Sequence, residues 1–231
     1  MANRFGGFSP EALQFLRDLK ENNDREWFTP RKQVYEETLR QPMIELVRAI
    51  HGEMISFAPQ YVGEPAKCVF RIYRDTRFSK DKTPYKTHVA ASFSGNGLSK
   101  TGSGYYVGIS AEGIEIGGGM YAPEPEVLLA IRQAIADDPE GFRETYSAAK
   151  TRKLVGEPGG ESVSRPPKGF DPAHPAIDLL KRKQHFFMVH LDAEVATTPK
   201  LLNEVTKRFA VMTPLIEFLD RPLVKTLHQR F

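Results

Sequence analysis

The chain has 231 residues, 40% hydrophobic and 26% charged, with a formal net charge of +3 and one cysteine. This composition excludes a disordered chain, and no apolar run reaches the ~20 residues that cross a bilayer. A lone cysteine excludes an internal disulfide and cannot by itself form a zinc site. The first ten residues hold no apolar stretch of signal-peptide length, so a cytoplasmic protein with one domain over residues 1–231 is expected.

Ser9-Pro10 pairs an N-cap residue with proline at the first helical position, and Leu13, Leu16 and Leu19 then mark one apolar helical stripe. Thr29-Pro30 repeats the start signal for a longer helix through Leu39, Met43, Leu46, Val47 and Ile50, kinked near Pro42. Trp27 and Phe28, just before it, read as core residues. The pattern then alternates: Cys68, Phe70 and Ile72 fall on one side and Val69, Arg71 and Tyr73 on the other, which predicts a strand containing Arg71 and a buried, inert Cys68 thiol.

Further strands are expected at Thr87 to Phe93, Tyr105 to Ser110 and Gly113 to Gly117, the last two joined by a tight turn at Ala111-Glu112. Strands this close in sequence indicate an antiparallel meander. Val127, Leu128, Ile131 and Ile135 mark a helix with an acidic start, which Asp138-Pro139 ends or kinks. The Gly- and Pro-rich stretch from Val155 to Pro175 reads as an ordered surface excursion. A strand follows from Lys183 to Asp192, then a helix from Thr198-Pro199 through Leu202, Val205, Phe209 and Met212, with Pro214 near its end. The fold class is therefore α+β, an antiparallel meander sheet flanked by N-terminal, middle and C-terminal helices.

Charge is concentrated in one place. Lys67, Arg71, Arg74, Arg77, Lys80, Lys82 and Lys86 face only Asp75 and Asp81, a local excess of +5 that leaves the rest of the chain at −2. Crowded cations need carboxylates, water or an anionic ligand, and two acids cannot neutralise seven bases. Arginine offers a planar fork and lysine a point charge, both suited to phosphate. Arg71, Arg74, Arg77, Lys82 and Lys86, with Asp75 orienting the arginines, form the candidate ligand-binding set, and Lys168 in the Pro-Pro-Lys-Gly-Phe loop, beside Arg165, is a second-loop contributor. The structural alternative is an ion-pair network of Arg71 and Arg74 with Asp75, Asp81, Glu115 or backbone carbonyls.

His88, with Tyr85 or Asp81 as a second proton-transfer group, is the candidate catalytic set. Tyr73, Phe78 and Tyr85 interleave with the cations as base-stacking groups do, although each also suits hairpin packing. His51, His174, His185, His190 and His228 form no metal-binding spacing, and Ser79, Ser92 and Ser103 lack a nucleophile-elbow context. Gly117-Gly118-Gly119 lacks the lysine and hydroxyl of a phosphate-binding loop and reads as a bend or a close backbone approach. The spacing supports no metal site, magnesium bridging Asp75 or Asp81 to a phosphate stays open, and the cofactor is unknown.

The run from Phe70 to Lys86 closely resembles the signature of a family of conserved hypothetical proteins catalogued as domain of unknown function 2461. The likeness extends to Asn22-Asn23-Asp24-Arg25-Glu26-Trp27-Phe28, to Gly117-Gly-Gly-Met-Tyr-Ala-Pro123, and to Pro167-Lys-Gly-Phe170 followed by His174-Pro175. It implies a stand-alone bacterial or fungal protein and carries no activity, cofactor or catalytic residue with it. Three functions stay open: a binder of a phosphate-bearing anion such as a nucleotide, nucleic acid or phosphorylated metabolite; a phosphoryl-transfer or hydrolytic enzyme using the same cations; and a domain that docks an acidic protein.

Overall fold

Proline sets the first helix. In a computed structural model, which describes residues 5–95 and 102–228, Pro10 opens α1 (Pro10–Glu21), where its missing amide is no loss, and Leu13, Leu16 and Leu19 are buried. Ser9 holds the N-cap position but makes no side-chain capping bond. The second helical stretch starts earlier than Thr29-Pro30. Asp24 accepts from the Trp27 amide at 2.8 Å and starts α2 (Arg25–Phe28), followed by a 3-10 turn at Thr29–Arg31 and α3 (Lys32–Tyr35).

The kink expected near Pro42 takes the form of a π-helical turn over Glu36–Arg40, ahead of α4 (Gln41–Met54). Pro42 has no amide to give the Thr38 carbonyl, so the regular ladder is interrupted and the preceding turn widens.

The strand expected over Cys68 to Tyr73 is not formed. Pro65–Cys68 is a single helical turn, α5, and the chain then runs alongside residues 84–91 with only intermittent pairing. Isolated bridges join Val69 to Ala91 and Tyr73 to Tyr85, and the Lys86 amide donates to the Ile72 carbonyl at 2.8 Å. Arg71 therefore lies in this irregular segment, outside the sheet. Pro84 cannot donate to a ladder, and of the expected inward residues only Ile72 is buried, so no continuous apolar face holds a strand in register. Cys68 is half-buried at the end of α5, and burial pushes its thiol pKa up, which keeps it protonated.

Four strands make the sheet: β1 (His88–Ser94), β2 (Gly104–Ser110), β3 (Ile114–Met120) and β4 (His185–Leu191), an antiparallel meander in the order β1-β2-β3-β4. The Ser110 amide donates to the Gly113 carbonyl at 2.9 Å and closes the β2–β3 turn. β3 continues through the three glycines to Met120, past the expected end at Gly117.

After β3 come α6 (Pro125–Asp137), α7 (Pro139–Ser147), α8 (Ala149–Val155) and α9 (Ile177–Leu180). Asp138 ends α6 and caps α7, accepting from the Gly141 amide at 3.0 Å. The surface stretch before α9 is pinned by bridges from Gly159 to Phe186 and from Ser162 to Arg182. The last helix, α10 (Lys200–His228), runs on through Pro214 and Pro222 rather than ending near the first. Met212, Leu215, Ile216 and Leu219 are buried around Pro214, and their packing outweighs one missing backbone bond. No described helix is long and apolar enough to cross a membrane.

The chain divides into two compact units, each drawn from three stretches. The first contains the chain up to Phe93 with Tyr106–Ile116 and His190–Lys207; the second contains Ser94–Tyr105, Gly117–Val189 and the chain from Arg208. In the first, Leu16, Leu39, Met43, Leu46 and Ile50 are buried with the inward strand residues Val107, Ile109, Ile114 and Ile116. In the second, Tyr105 meets Phe209 at 4.7 Å and Phe142 meets Phe218 at 5.1 Å.

Candidate functional site

The cationic segment belongs to the first unit, and its two acids are already taken. Asp81 accepts from the Arg74 guanidinium, which also bonds the Thr83 hydroxyl and, at 3.2 Å, the Thr83 carbonyl. The Thr83 amide and hydroxyl both reach Asp81 Oδ1 at 2.9 Å. The backbone bond from Thr83 first, and then Arg74, hold the Asp81 carboxyl down at about 2. Asp75 takes Arg77 in a two-point pair, Nε at 3.0 Å and Nη2 at 2.7 Å, which lowers its pKa as well. Lys82 Nζ donates to the Thr76 carbonyl at 2.9 Å. The loop is thus braced by its own charges.

Arg71 and Lys86 are not so paired. Arg71 is exposed and has no hydrogen bond or ion pair to any described residue. Lys86 is half-buried with its ammonium 4.9 Å from the centre of the Phe70 ring. Burial first, and then the charge of Arg71, lower the Lys86 pKa, and the Arg71 charge also helps to lower that of Asp75, so Arg71 stands within electrostatic reach of both.

The sheet's alternation brings further groups to the same unit. Val89, Ala91 and Phe93 of β1, Val107 and Ile109 of β2, and Ile114 and Ile116 of β3 are buried, which turns His88, Ser92, Tyr106 and Glu115 to the other face, with His190 exposed on β4. His190 Nδ1 lies 3.9 Å from Glu115 Oε1. Tyr106 is pushed up to about 12 by burial, then by the Glu115 charge and a hydrogen bond to that carboxylate, so its hydroxyl keeps its proton. Burial first and Lys86 second lower the His88 pKa, against a smaller opposing pull from Glu115, so the imidazole is neutral at pH 7. Phe70 lies 6.4 Å from Tyr106, ring to ring, and links this face to Lys86. Among the described residues, no group of three or more His, Cys, Asp or Glu side chains could hold a metal ion.

A family model described as conserved hypothetical protein (DUF2461) matches residues 11–218, which include the braced loop and every residue of this face. The chain belongs to that family. No curated protein and no solved structure matches it.

Within this DUF2461 chain the expected site residues separate into groups. Arg71, Lys86 and His88 form one electrostatic group, the charge of Arg71 acting on Lys86 and that of Lys86 on His88. Arg74, Asp75, Arg77 and Lys82 are engaged within the hairpin, so four of the expected ligand-binding residues already have partners inside it. Asp81 is held as an ionised carboxylate by Thr83 and Arg74, so it carries no proton to donate near neutral pH. Tyr85 is 4% exposed, stacked on Phe28 at 4.1 Å, with its backbone amide and carbonyl both bonded to the Asn23 side chain at 3.0 Å. Its ring fills core space. Lys168 is exposed in the second unit, on the surface stretch before α9. The sequence marks Glu115 only as an ion-pair partner and His190 only as a histidine without metal-binding spacing, and it does not single out Tyr106. The signal was present in the alternation: with Tyr105 inward, Tyr106 must face out.

Proposed function

We propose that the first unit binds a phosphate-bearing anion at the outer sheet face, with Arg71 and Lys86 as its direct anchors. The observation that carries this reading is that Arg71 and Lys86 feel each other's charge and neither makes an ion pair among the described residues, Arg71 acting on Asp75 only without a salt bridge, while the carboxylates of Asp81 and Asp75 bond Arg74 and Arg77. A bound anion would offset their repulsion, arginine as a fork and lysine as a point charge. Neutral His88 and the Tyr106 hydroxyl add uncharged hydrogen-bonding groups beside it. A thermal-shift series with inorganic phosphate, nucleotides and phosphorylated metabolites tests it, since a ligand of the native state raises the melting temperature by mass action. Stabilisation by one phosphate-bearing class, lost in Arg71→Ala and Lys86→Ala but kept in Arg77→Ala, is expected. Equal stabilisation of Arg71→Ala and the parent protein would end the proposal.

A second reading, hydrolysis of that ligand, is favoured by the protonation states of His88 and Tyr106. A neutral imidazole can take a proton from an attacking water, and the Tyr106 phenol, once its single O–H turns away from Glu115, can donate a hydrogen bond to the oxyanion that develops. The two readings part at His88→Gln: a hydrolase would keep the ligand-induced shift and lose product formation, whereas a binder forms no product in either protein.

A further inference from the structure

At the tip of the braced loop Phe78 is 95% exposed, the most exposed of the large apolar side chains described. Such exposure on a floppy loop would mean little. Here the loop is tied at several points: Arg74 to Asp81 and Thr83, Arg77 to Asp75 by two bonds, Lys82 to the Thr76 carbonyl, and the Ser79 amide to the Thr76 carbonyl at 3.4 Å. The structure therefore presents this ring outward on a fixed support. One of its neighbours is already a stacking cation, for the Arg77 guanidinium carbon lies 5.7 Å from the ring centre. With 95% of the residue open to solvent, there is room for a second flat group against the ring.

We infer that this tip is a docking point for single-stranded nucleic acid, with an unpaired base stacked on Phe78 and the backbone phosphates met by Lys80 and Lys82. Charge and shape together select this occupant. The same bonds that hold the loop neutralise Asp75 and Asp81, the two acids that would repel a polyanion. Lys80 has no partner among the described residues, and Lys82 uses one of three ammonium donors on Thr76. A base needs only a ring face, and stacking of this kind tolerates any sequence. A bilayer would need a wider apolar surface, but Phe78 is flanked by Arg77, Ser79 and Lys80. A duplex keeps its bases stacked on each other, which leaves no free partner for the ring.

The test is fluorescence anisotropy with a labelled oligothymidylate at low salt, using the full chain. The parent protein is expected to bind, Phe78→Ala to bind about tenfold more weakly, and Phe78→Trp to retain affinity. Lys80→Ala should reduce the slope of log affinity against log salt by about 0.7. Because Phe78 is almost wholly exposed, its replacement leaves the fold intact. No binding by the parent, or equal binding by Phe78→Ala, overturns the inference; so does Phe78-dependent co-sedimentation with phosphatidylserine vesicles when the oligonucleotide is not bound. The inference stands apart from the sheet-face anion site: Arg71→Ala should abolish the phosphate-induced thermal shift while the tenfold effect of Phe78→Ala persists, so each can fail alone.

Discussion

Asp81 receives the Arg74 guanidinium on one carboxylate oxygen and the Thr83 amide and hydroxyl on the other. This arrangement closes the base of the loop that carries Phe78. The folded pKa, about 2, lies below the ordinary 3.8, so the stabilisation is present above the ordinary value and is lost as pH falls through about 2. Asp81→Asn keeps a Thr83 acceptor but no longer neutralises Arg74. Since the group is exposed, the melting temperature at pH 7 should drop by at most about 4 °C. Amide exchange at Thr83 should nevertheless quicken, and the difference between the two proteins should shrink as the buffer is taken below pH ~3. Unchanged exchange at Thr83 would show that the carboxylate does not close the loop.

The meander and the main helices were legible because their signals are local. The strand runs at Thr87 to Phe93 and Tyr105 to Ser110, the proline at position 10, and the apolar stripe of Val127, Leu128, Ile131 and Ile135 place elements within a few residues of where they form. α7, α8 and α9 were not visible, since each is short and buries only two side chains, such as Phe142 and Thr145 in α7. The two-unit division was hidden because neither unit is contiguous in sequence. At the site, the excess of cations was legible and its pairing was not. Which arginine meets which carboxylate depends on how the loop from Arg74 to Thr83 folds back, and composition carries no record of that.

His185 is 2% exposed, its Nε2 has no hydrogen-bond partner among the described residues, and its ring meets Phe142 edge-on at 5.2 Å. Burial first, then the positive charges of Arg182 and Arg132, lower its pKa from 6.5 to about 3. The unfolded chain therefore binds one more proton than the folded one between those values. Stability is full above pH 6.5 and falls on acidification towards about 3, with a slope approaching 1.4 kcal/mol per pH unit. His51 and His88, also lowered by burial, act with the same sign. Urea midpoints of the parent and His185→Leu isolate the single contribution: the variant's stability should decline more gently between pH 6 and about 4. Parallel curves would mean that His185 does not gate acid stability.

In the second unit, Ser103 gives Asp220 Oδ1 two bonds, from its amide at 2.9 Å and its hydroxyl at 2.8 Å, and the hydroxyl also lies 3.0 Å from the Ile216 carbonyl. Both residues are buried. A carboxylate so placed needs its donors, and removing it strands the Ser103 amide without an acceptor and leaves the hydroxyl only the Ile216 carbonyl. Asp220→Ala should lose about 2–4 kcal/mol in urea unfolding, and Ser103→Ala, which keeps the amide bond, about 1–2 kcal/mol. The double variant should lose less than the sum of the two. Strict additivity would show that the pair is not coupled.

The three glycines of β3 are close-approach positions of different severity, which substitution can resolve. A Cβ on Gly118 would meet the Met212 sulfur at 2.7 Å, the flexible end of an unbranched side chain. Gly119 has φ +128, and its Cβ would fall on the His185 carbonyl oxygen and 2.6 Å from Phe186 Cα. Those are backbone atoms of the neighbouring strand, and they cannot yield without breaking the β3–β4 pairing. Gly118→Ala should therefore fold with a loss of about 1–3 kcal/mol as Met212 shifts. Gly119→Ala combines an unfavourable backbone conformation with a main-chain clash, and a loss above about 4 kcal/mol or a failure to accumulate as soluble protein is expected. Soluble yield followed by urea titration distinguishes the two, and comparable stability of both variants would mean that β4 does not pack against β3 at Gly119 as closely as the structure places it.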